Sequence, residues 1–557
     1  MRKGHFKNIV LLVMLFAGSA CGISKSIHHQ PAISSYDQTI PRVDSRNGNN
    51  LHIGQNSLLQ NKQKLWELYV SGDPLQRGLI TGSLTDSLLR RQEHIFFSKI
   101  TDMIPSASRL KIIRQFLKWY NRKLYKNVTD EYQAEIYGLS QHSTHDYDNI
   151  ASPFLRSLYL HGAHDIGHAL QDLALVGCSS FAVAGDKSED GTLILGRNFD
   201  FYVGDAFAEN KVVAFVNPEN GIPFMMVTWP GMIGAVSGMN NEGLTVTINA
   251  GKSKIPLIAK TPISILTREI LQYAKNIDEA IAIAKKRKVF VAESIMVGSA
   301  HDKKAVLIEV SPHNLGVYEM PENHQLISTN HFQSDAYKND KRNKKHIINS
   351  HSQYRYERLA ELLAQNGKLN PEKAAAILRN KDGLNEKALG FGNEKALNQL
   401  IAHHAVIFKP ERRLVWVSSN PYQLGEFVCY DLTKIFNSSN DKPAYISFAD
   451  TTKNIPQDSF LYTKAYLDYE QFKIADRTMD AALDEKTILP DNFIPEYVSL
   501  NPEYWQVYYK AGKMAMRNKQ YGSAKQYFEK ALSKEITTIP EKAKVEKQLK
   551  KVNKKLR

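Results

Sequence analysis

Cysteine is scarce: Cys21, Cys178 and Cys429 are the only three in 557 residues. Three thiols cannot build a disulfide framework. After the N-terminal leader no stretch of about 18 consecutive apolar residues occurs, which excludes a later spanning helix. Acidic side chains are outnumbered, 57 against 72 Lys and Arg, but the imbalance is local: residues 505–557 carry fifteen Lys or Arg and four Glu. A basic tail can meet nucleic acid, anionic lipid or an acidic protein. No nucleic-acid-binding motif accompanies it, so a solvated basic helix face is the simpler reading and no nucleic-acid partner is assigned. The metalloprotease helix motif is missing too. His161, His164 and His168 stand at i, i+3 and i+7, a spacing that can gather imidazoles for zinc. Gly162 and Gly167 weaken that helix, and the expectation is a helix surface near Cys178, with no metal and no cofactor.

What is present is enough for several domains: 43% apolar and 23% charged residues are ordinary for a folded globular chain. The first 21 residues open with Arg2, Lys3 and Lys7, continue through an apolar run from Ile9 to Ala17, and end in Gly18-Ser19-Ala20 before Cys21. This is the order of a signal peptide. Small residues leading into a cysteine resemble a bacterial lipoprotein signal, with Gly18 where Leu is usual. The expectation is a lipidated Cys21, a membrane anchor and a place in the bacterial cell envelope.

Residues 22–60, rich in Ser, Asn, Gln and His, read as a flexible tether. Residues 61–177 read as a helical pre-cysteine segment, with Ser106 opening a helix through Tyr125. At Cys178 the texture changes to short β-rich runs separated by Gly, Asn and Asp turns, with a helix over 262–286 and a strand–turn–strand over 402–419. Met239-Asn240-Asn241-Glu242-Gly243 marks a hairpin. Residues 178–450 are therefore an α+β core with antiparallel sheet. Residues 451–557 are a helical tail in which Tyr508, Ala511-Gly512, Tyr521, Ala524, Phe528 and Ala531 have the spacing of one tetratricopeptide-like repeat. One repeat cannot bury its own faces, so it packs on the body as a cap or offers a docking surface to a protein partner.

The chemistry concentrates in Gly177-Cys178-Ser179-Ser180-Phe181 and Gly196-Arg197-Asn198-Phe199-Asp200-Phe201. A thiol needs a base or a lowered pKa to attack a carbonyl. Cutting the Gly177–Cys178 bond would supply a base, because the new α-amine titrates near about 7.7–8.0. Gly177, lacking a Cβ, leaves its carbonyl open to the thiol. Arg197 and Asp200 sit one hairpin away. The guanidinium favours thiolate, and Asp200 is expected to hold Arg197 in a bidentate pair and to accept from the α-amine. Cys429 reads as buried core.

These motifs resemble the N-terminal-nucleophile superfamily of penicillin acyltransferases and bile-salt hydrolases, which includes acid ceramidase, and most of all its isopenicillin-N acyltransferase-like branch. The resemblance continues through Gly238-Met239-Asn240-Asn241-Glu242-Gly243-Leu244 with Asn249, Ser328-Thr329-Asn330-His331-Phe332, and Ser352-Gln353-Tyr354-Arg355-Tyr356-Glu357-Arg358-Leu359. It spans roughly residues 150–430. It implies a four-layered αββα sandwich with a helical pro-segment and a helical C-terminal extension. It implies Cys178 as nucleophile, flanked by Arg197 and Asp200, and Asn330 as an oxyanion group. Asn249 would be a second oxyanion or substrate contact, with a turn former as its plainer reading, and Arg355 the late arginine, with Arg358 close enough to compete. The expected activity is hydrolysis of linear amide bonds in small N-acyl compounds through a thioester. The alternatives are acyl transfer to an amine, a phospholipase on the same fold, and an inactive envelope protein that works through its tail.

Overall fold

Two β-sheets stack face to face between layers of helix. The computed structural model describes residues 22–104, 106–162, 165, 177–252, 258–437 and 446–557. The smaller sheet is antiparallel throughout and runs, in spatial order, Gln325–Ser328, Ser179–Val183, Ile194–Phe199, His404–Lys409, Leu414–Ser418 and Phe427–Asp431. The larger sheet has eleven strands. Its centre is formed by Val212–Pro218, Phe224–Thr228, Ser237–Asn240, Leu244–Ala250, Glu293–Ser299 and Lys304–Val310.

Side-chain alternation explains the stacking. In His404–Lys409, Val406 and Phe408 point between the sheets, where they meet Phe215, Met225 and Leu307 of the larger sheet. Ala405 and Ile407 point the other way, onto Leu359, Leu362, Ala374 and Leu378 of helices Ser352–Gln365 and Pro371–Leu378. The far face of the larger sheet, with Val246, Ile295 and Ile308, packs on Leu266, Ile270, Ala280 and Ala284. Strands apolar on both sides therefore produce helix, sheet, sheet, helix, the expected αββα sandwich.

Three expectations change. The helix expected over 262–286 is two, Ile263–Tyr273 and Ile277–Lys286, because Asn276 caps the second by accepting from Glu279 N–H. Part of the tether is sheet: Ser45–Asn47, Asn50–Ile53 and Asn56–Gln60 form one end of the larger sheet, with Leu58 and Ile53 buried. Their few apolar residues sit among Asn, Ser and Gln, which hides the two-residue period. The pre-cysteine segment is likewise not all helix. Trp66–Gly72 pairs in parallel with Val212–Pro218, so this segment is built into the larger sheet.

Behind that strand the long helix Pro74–Met103 packs on Asp130–Ser140 so closely that a Cβ on Gly78 would lie 2.1 Å from the Glu135 carbonyl oxygen. Glu135, buried, bridges Arg77 of this pair at 2.6 Å and Arg268 of the core helix at 3.2 Å.

In the C-terminal region, helices Trp505–Arg517 and Tyr521–Leu532 form a hairpin in which Gly512 faces the Phe528 ring. With helix Lys464–Glu485 they share an apolar core that also takes in Leu400, Tyr422 and Leu424 of the body. No described helix is long and apolar enough to cross a membrane.

Candidate active site

Cys178 stands at the head of strand Ser179–Val183, where Cys178, Ser180 and Ala182 face the larger sheet and Ser179, Phe181 and Val183 face the helices. Ser180 pairs in register with Arg197 on the next strand. The two motifs read in the sequence are thus neighbours by strand pairing. Each letter of the second has a physical reason. A Cβ at Gly196 would lie 2.4 Å from the Phe181 ring. Asn198 points to the helix layer and donates to the carbonyls of Leu378 and Leu397.

Arg197 points between the sheets. Its Nη1 donates to Val236 O at 3.0 Å and Ser237 Oγ at 2.5 Å, its Nη2 donates to Ile248 O, and Nη2 lies 3.8 Å from the Cys178 sulfur. The Phe199 ring lies beneath the guanidinium at 4.3 Å. No bond joins Arg197 to Asp200 among the described residues, so the bidentate pair expected from the sequence is not formed: the larger sheet's carbonyls occupy the fork instead. Nor does the guanidinium prevail over the thiol. Burial pushes Cys178 up to about 11, with Asp200 adding to the rise and Arg197 opposing it.

Asp200 is wholly buried, and neither carboxylate oxygen has a hydrogen-bond partner among the described residues. Burial lifts its carboxyl to about 7, against the pull of Arg355 and Arg197. A carboxyl poised there can accept a proton near neutrality.

The two later motifs meet on the other side of Cys178. Arg355 Nη1 donates to the Cys178 carbonyl at 2.6 Å and to Ser179 Oγ at 2.8 Å, while Nη2 donates to Asn330 Oδ1 at 2.7 Å. Asn330 N–H donates to Ser352 Oγ at 2.8 Å, and its Nδ2 to Ala250 O at 2.9 Å. Arg358 instead reaches Glu361, Glu386 and Asn380, away from the thiol. Arg355 is therefore the arginine of this site. Asn249 lies in a strand and is no turn former. Its Nδ2 donates to Ser328 O at 3.0 Å and Ser328 Oγ at 3.4 Å, and its Oδ1 accepts from Ser180. Through these bonds it clamps the two sheets together.

Three features had no signal in the motifs. Gln399 Nε2 donates to the Gly177 carbonyl at 2.9 Å. His404 Nε2 meets Ser237 Oγ at 2.9 Å, extending the Arg197 network to a second imidazole, His403. Glu293 is fully buried and its carboxyl is raised by burial and then by Asp165, with Arg197 opposing. A cavity of about 220 Å³, lined in part by Phe201, Tyr202, Ile401, Tyr422 and Tyr466, borders the residues that follow Asp200 and Gln399. His161 is buried, accepts from Ile233 N–H at 2.9 Å and is held neutral by burial, its pKa lowered to about 4, so it is core and not helix surface. His164, His168 and Cys21 lie outside the described residues. Cys429 is buried in the core of the smaller sheet, as expected.

Cys178 therefore heads an inner strand of the αββα sandwich, with Arg197 on the adjoining strand and Asp200 just past that strand's end. Residues 187–420 match the family model described as Acyl-coenzyme A:6-aminopenicillanic acid acyl-transferase. The matched segment holds Arg197, Asp200, Asn249, Asn330 and Arg355 and begins just after Cys178. An uncharacterized protein of Archaeoglobus fulgidus is 24% identical over 279 residues, 46% of this chain and 46% of its own length. Among solved structures, an N-acylethanolamine-hydrolyzing acid amidase ortholog of Caenorhabditis elegans aligns over 42% of this chain and 93% of its own, with 16% identity and a TM-score of 0.31. A variant of the conjugated bile acid hydrolase of Clostridium perfringens aligns over 47% and 94%, with 12% identity and a TM-score of 0.31.

Proposed function

We propose that this protein is a thiol amidohydrolase that cuts its own chain between Gly177 and Cys178 and then cleaves linear amides of small N-acyl compounds. The observation that carries the reading is the placement of the Cys178 sulfur beside Arg197, at 3.8 Å, with the buried Asp200 carboxyl near enough to act on the thiol's charge, though not hydrogen-bonded to it. In the uncut chain the thiol is held protonated by burial. Asp200, titrating near 7, takes that proton as the sulfur attacks the Gly177 carbonyl carbon. The C–S bond forms, the C–N bond breaks, the proton passes to the departing nitrogen, and water hydrolyses the thioester.

The freed α-amine then serves as base for external substrates. Arg197 stabilises the charge on sulfur. Arg355 fixes the Cys178 carbonyl and turns Asn330 so that its second amide proton can donate to the developing oxyanion, a contact worth about 3–4 kcal/mol of barrier. Acyl transfer to an amine is the second reading, favoured by the family that the core matches.

Purified wild type and Cys178→Ala should be assayed on a panel of N-acyl amino acids and lipid amides, with and without an added amine. Hydrolysis by wild type alone supports the first reading, and an amide of the added amine supports the second. Equal turnover by Cys178→Ala overturns both. We also propose that Cys21 is lipidated and anchors the protein in the bacterial envelope, on the order of basic, apolar and small residues before it. A fatty-acid probe that labels Cys21→Ser as strongly as wild type would overturn the anchor. The tail is read as a cap on the body, and its outward helix surfaces remain the place where a protein partner would dock.

A further inference from the structure

We infer that Gln399 is the oxyanion donor of the self-cleavage step, and that the C-terminal helices exist to hold it in place. The inference rests on the proposed cut at Gly177–Cys178 and names the group that makes the cut fast.

The Gly177 carbonyl is the bond acceptor that must become an oxyanion when the Cys178 sulfur attacks. Gln399 Nε2 already donates to that oxygen at 2.9 Å, and the Gln399 side chain is buried. A donor fixed on the reacting oxygen inside a dry site stabilises charge that develops only in the transition state. The same contact explains why residue 177 is glycine. A Cβ there would lie 2.1 Å from Gln399 Nε2 and 2.7 Å from its Cδ, so any side chain would push the donor off the carbonyl.

The backbone that carries Gln399 is strained and clamped. Leu400, the next residue, has a φ of 54°, a left-handed conformation that a branched residue adopts only when its surroundings impose it. Those surroundings are the tail: Leu400 is buried in one apolar core with Tyr469, Phe472, Tyr504 and Trp505. Upstream, Asn501 exchanges bonds with the backbone of Phe391 at 3.1 and 2.8 Å. Asn393 donates to Glu535 O at 3.0 Å, and Thr537 Oγ1 donates to Glu394 Oε2 at 3.0 Å. The tail thus grips residues 391–400 along their length, and Gln399 is the one of them that touches the scissile carbonyl. Gln399 is the catalytic residue here; Leu400, Asn501 and Thr537 are positioning residues.

The test follows cleavage in time. Wild type, Gln399→Leu, Gln399→Glu, Asn501→Ala and Cys178→Ala are synthesised in a cell-free reaction, and appearance of the chain beginning at Cys178 is followed by mass spectrometry. Thermal unfolding of each variant in the Cys178→Ala background reports whether it folds. The expected result is that Gln399→Leu and Gln399→Glu fold with a wild-type midpoint but cleave about 100- to 1,000-fold more slowly, the loss typical of a removed oxyanion donor. Asn501→Ala should slow cleavage less, because Gln399 remains but is held loosely. Gln399→Leu and Gln399→Glu cleaving at the wild-type rate, while wild type cleaves and Cys178→Ala does not, overturns the role of Gln399 alone. A wild type that never cleaves overturns the processing reading and this inference with it.

Discussion

The Arg197 guanidinium lies 3.8 Å from the Cys178 sulfur, and its two Nη atoms also donate to Val236 O, Ser237 Oγ and Ile248 O of the facing sheet. A rigid fork can reach all four at once, and an ammonium cannot. Properly cleaved Arg197→Lys should therefore lose about 10- to 100-fold in kcat/KM on an N-acyl substrate, the effect of one lost charge-assisted contact. Wild-type kcat/KM in that variant would mean that Arg197 only ties the sheets together.

Arg355 and Arg358 are both buried, three residues apart on one helix, yet only Arg355 touches the Cys178 carbonyl and Asn330. Arg355→Lys should lower turnover by about one to two decades, since it loses the fork that joins the Cys178 carbonyl and Ser179 Oγ to Asn330 Oδ1. Arg358→Lys should leave turnover of the cleaved enzyme near wild type and lower the unfolding midpoint, because its partners are Glu361 and Glu386. Equal losses of turnover in the two variants would remove the distinction.

The proposed self-cleavage, with Asp200 as its base, should have a specific pH profile. Its carboxyl is raised to about 7, so it is protonated and unable to act as base below that pH and ionised above it. The rate should rise with pH up to about 7 and then level off. Without a base, thiol ionisation near 11 would make the rate climb log-linearly well past 8. Asp200→Asn should show that steeper profile at a much lower rate. A wild-type rate that climbs tenfold per pH unit from 7 to 9 contradicts the role of Asp200.

How much of this was legible in the sequence depended on the range of the contact. Gly196 and Arg197 lie on the strand beside Cys178 and Asp200 just past its end, so alternation and a short hairpin brought them into view. Asn330 and Arg355 entered through a resemblance, and the structure joins them by a single bond, Arg355 Nη2 to Asn330 Oδ1. Gln399 was not legible: it lies 222 residues from Gly177, outside any motif, beside a left-handed Leu400 whose side chain packs into the tail and whose N–H donates to Asn398 Oδ1 at 3.0 Å. The Arg197–Asp200 pair was expected and is not formed, because a one-strand view could not include the carbonyls of the facing sheet. The polar strands at 45–60 were missed for want of apolar residues.

The pre-cysteine segment should stay attached after the cut. Strand Trp66–Gly72 is paired within the larger sheet, and buried Glu135 ties Arg77 to Arg268. Burial alone would raise the Glu135 carboxyl, but Arg268 and Arg77 hold it below its usual range. Its contribution to stability is therefore complete above the unfolded carboxylate pKa of about 4.3 and is lost as pH falls below it. Glu135→Gln leaves the buried Arg268 guanidinium without its counter-charge, while Arg77 keeps Glu131 at 3.3 Å, and should cost about 3–5 kcal/mol. The check is chemical denaturation at pH 7 together with size-exclusion chromatography of the cleaved protein. Two chains that separate without denaturant would contradict the account.

The central claim is tested most directly by intact mass and N-terminal sequencing of the purified protein. The account predicts two chains, the second beginning Cys178-Ser179-Ser180-Phe181, and a single uncut chain for Cys178→Ala. An active wild type whose chain remains continuous through Gly177–Cys178 would contradict it.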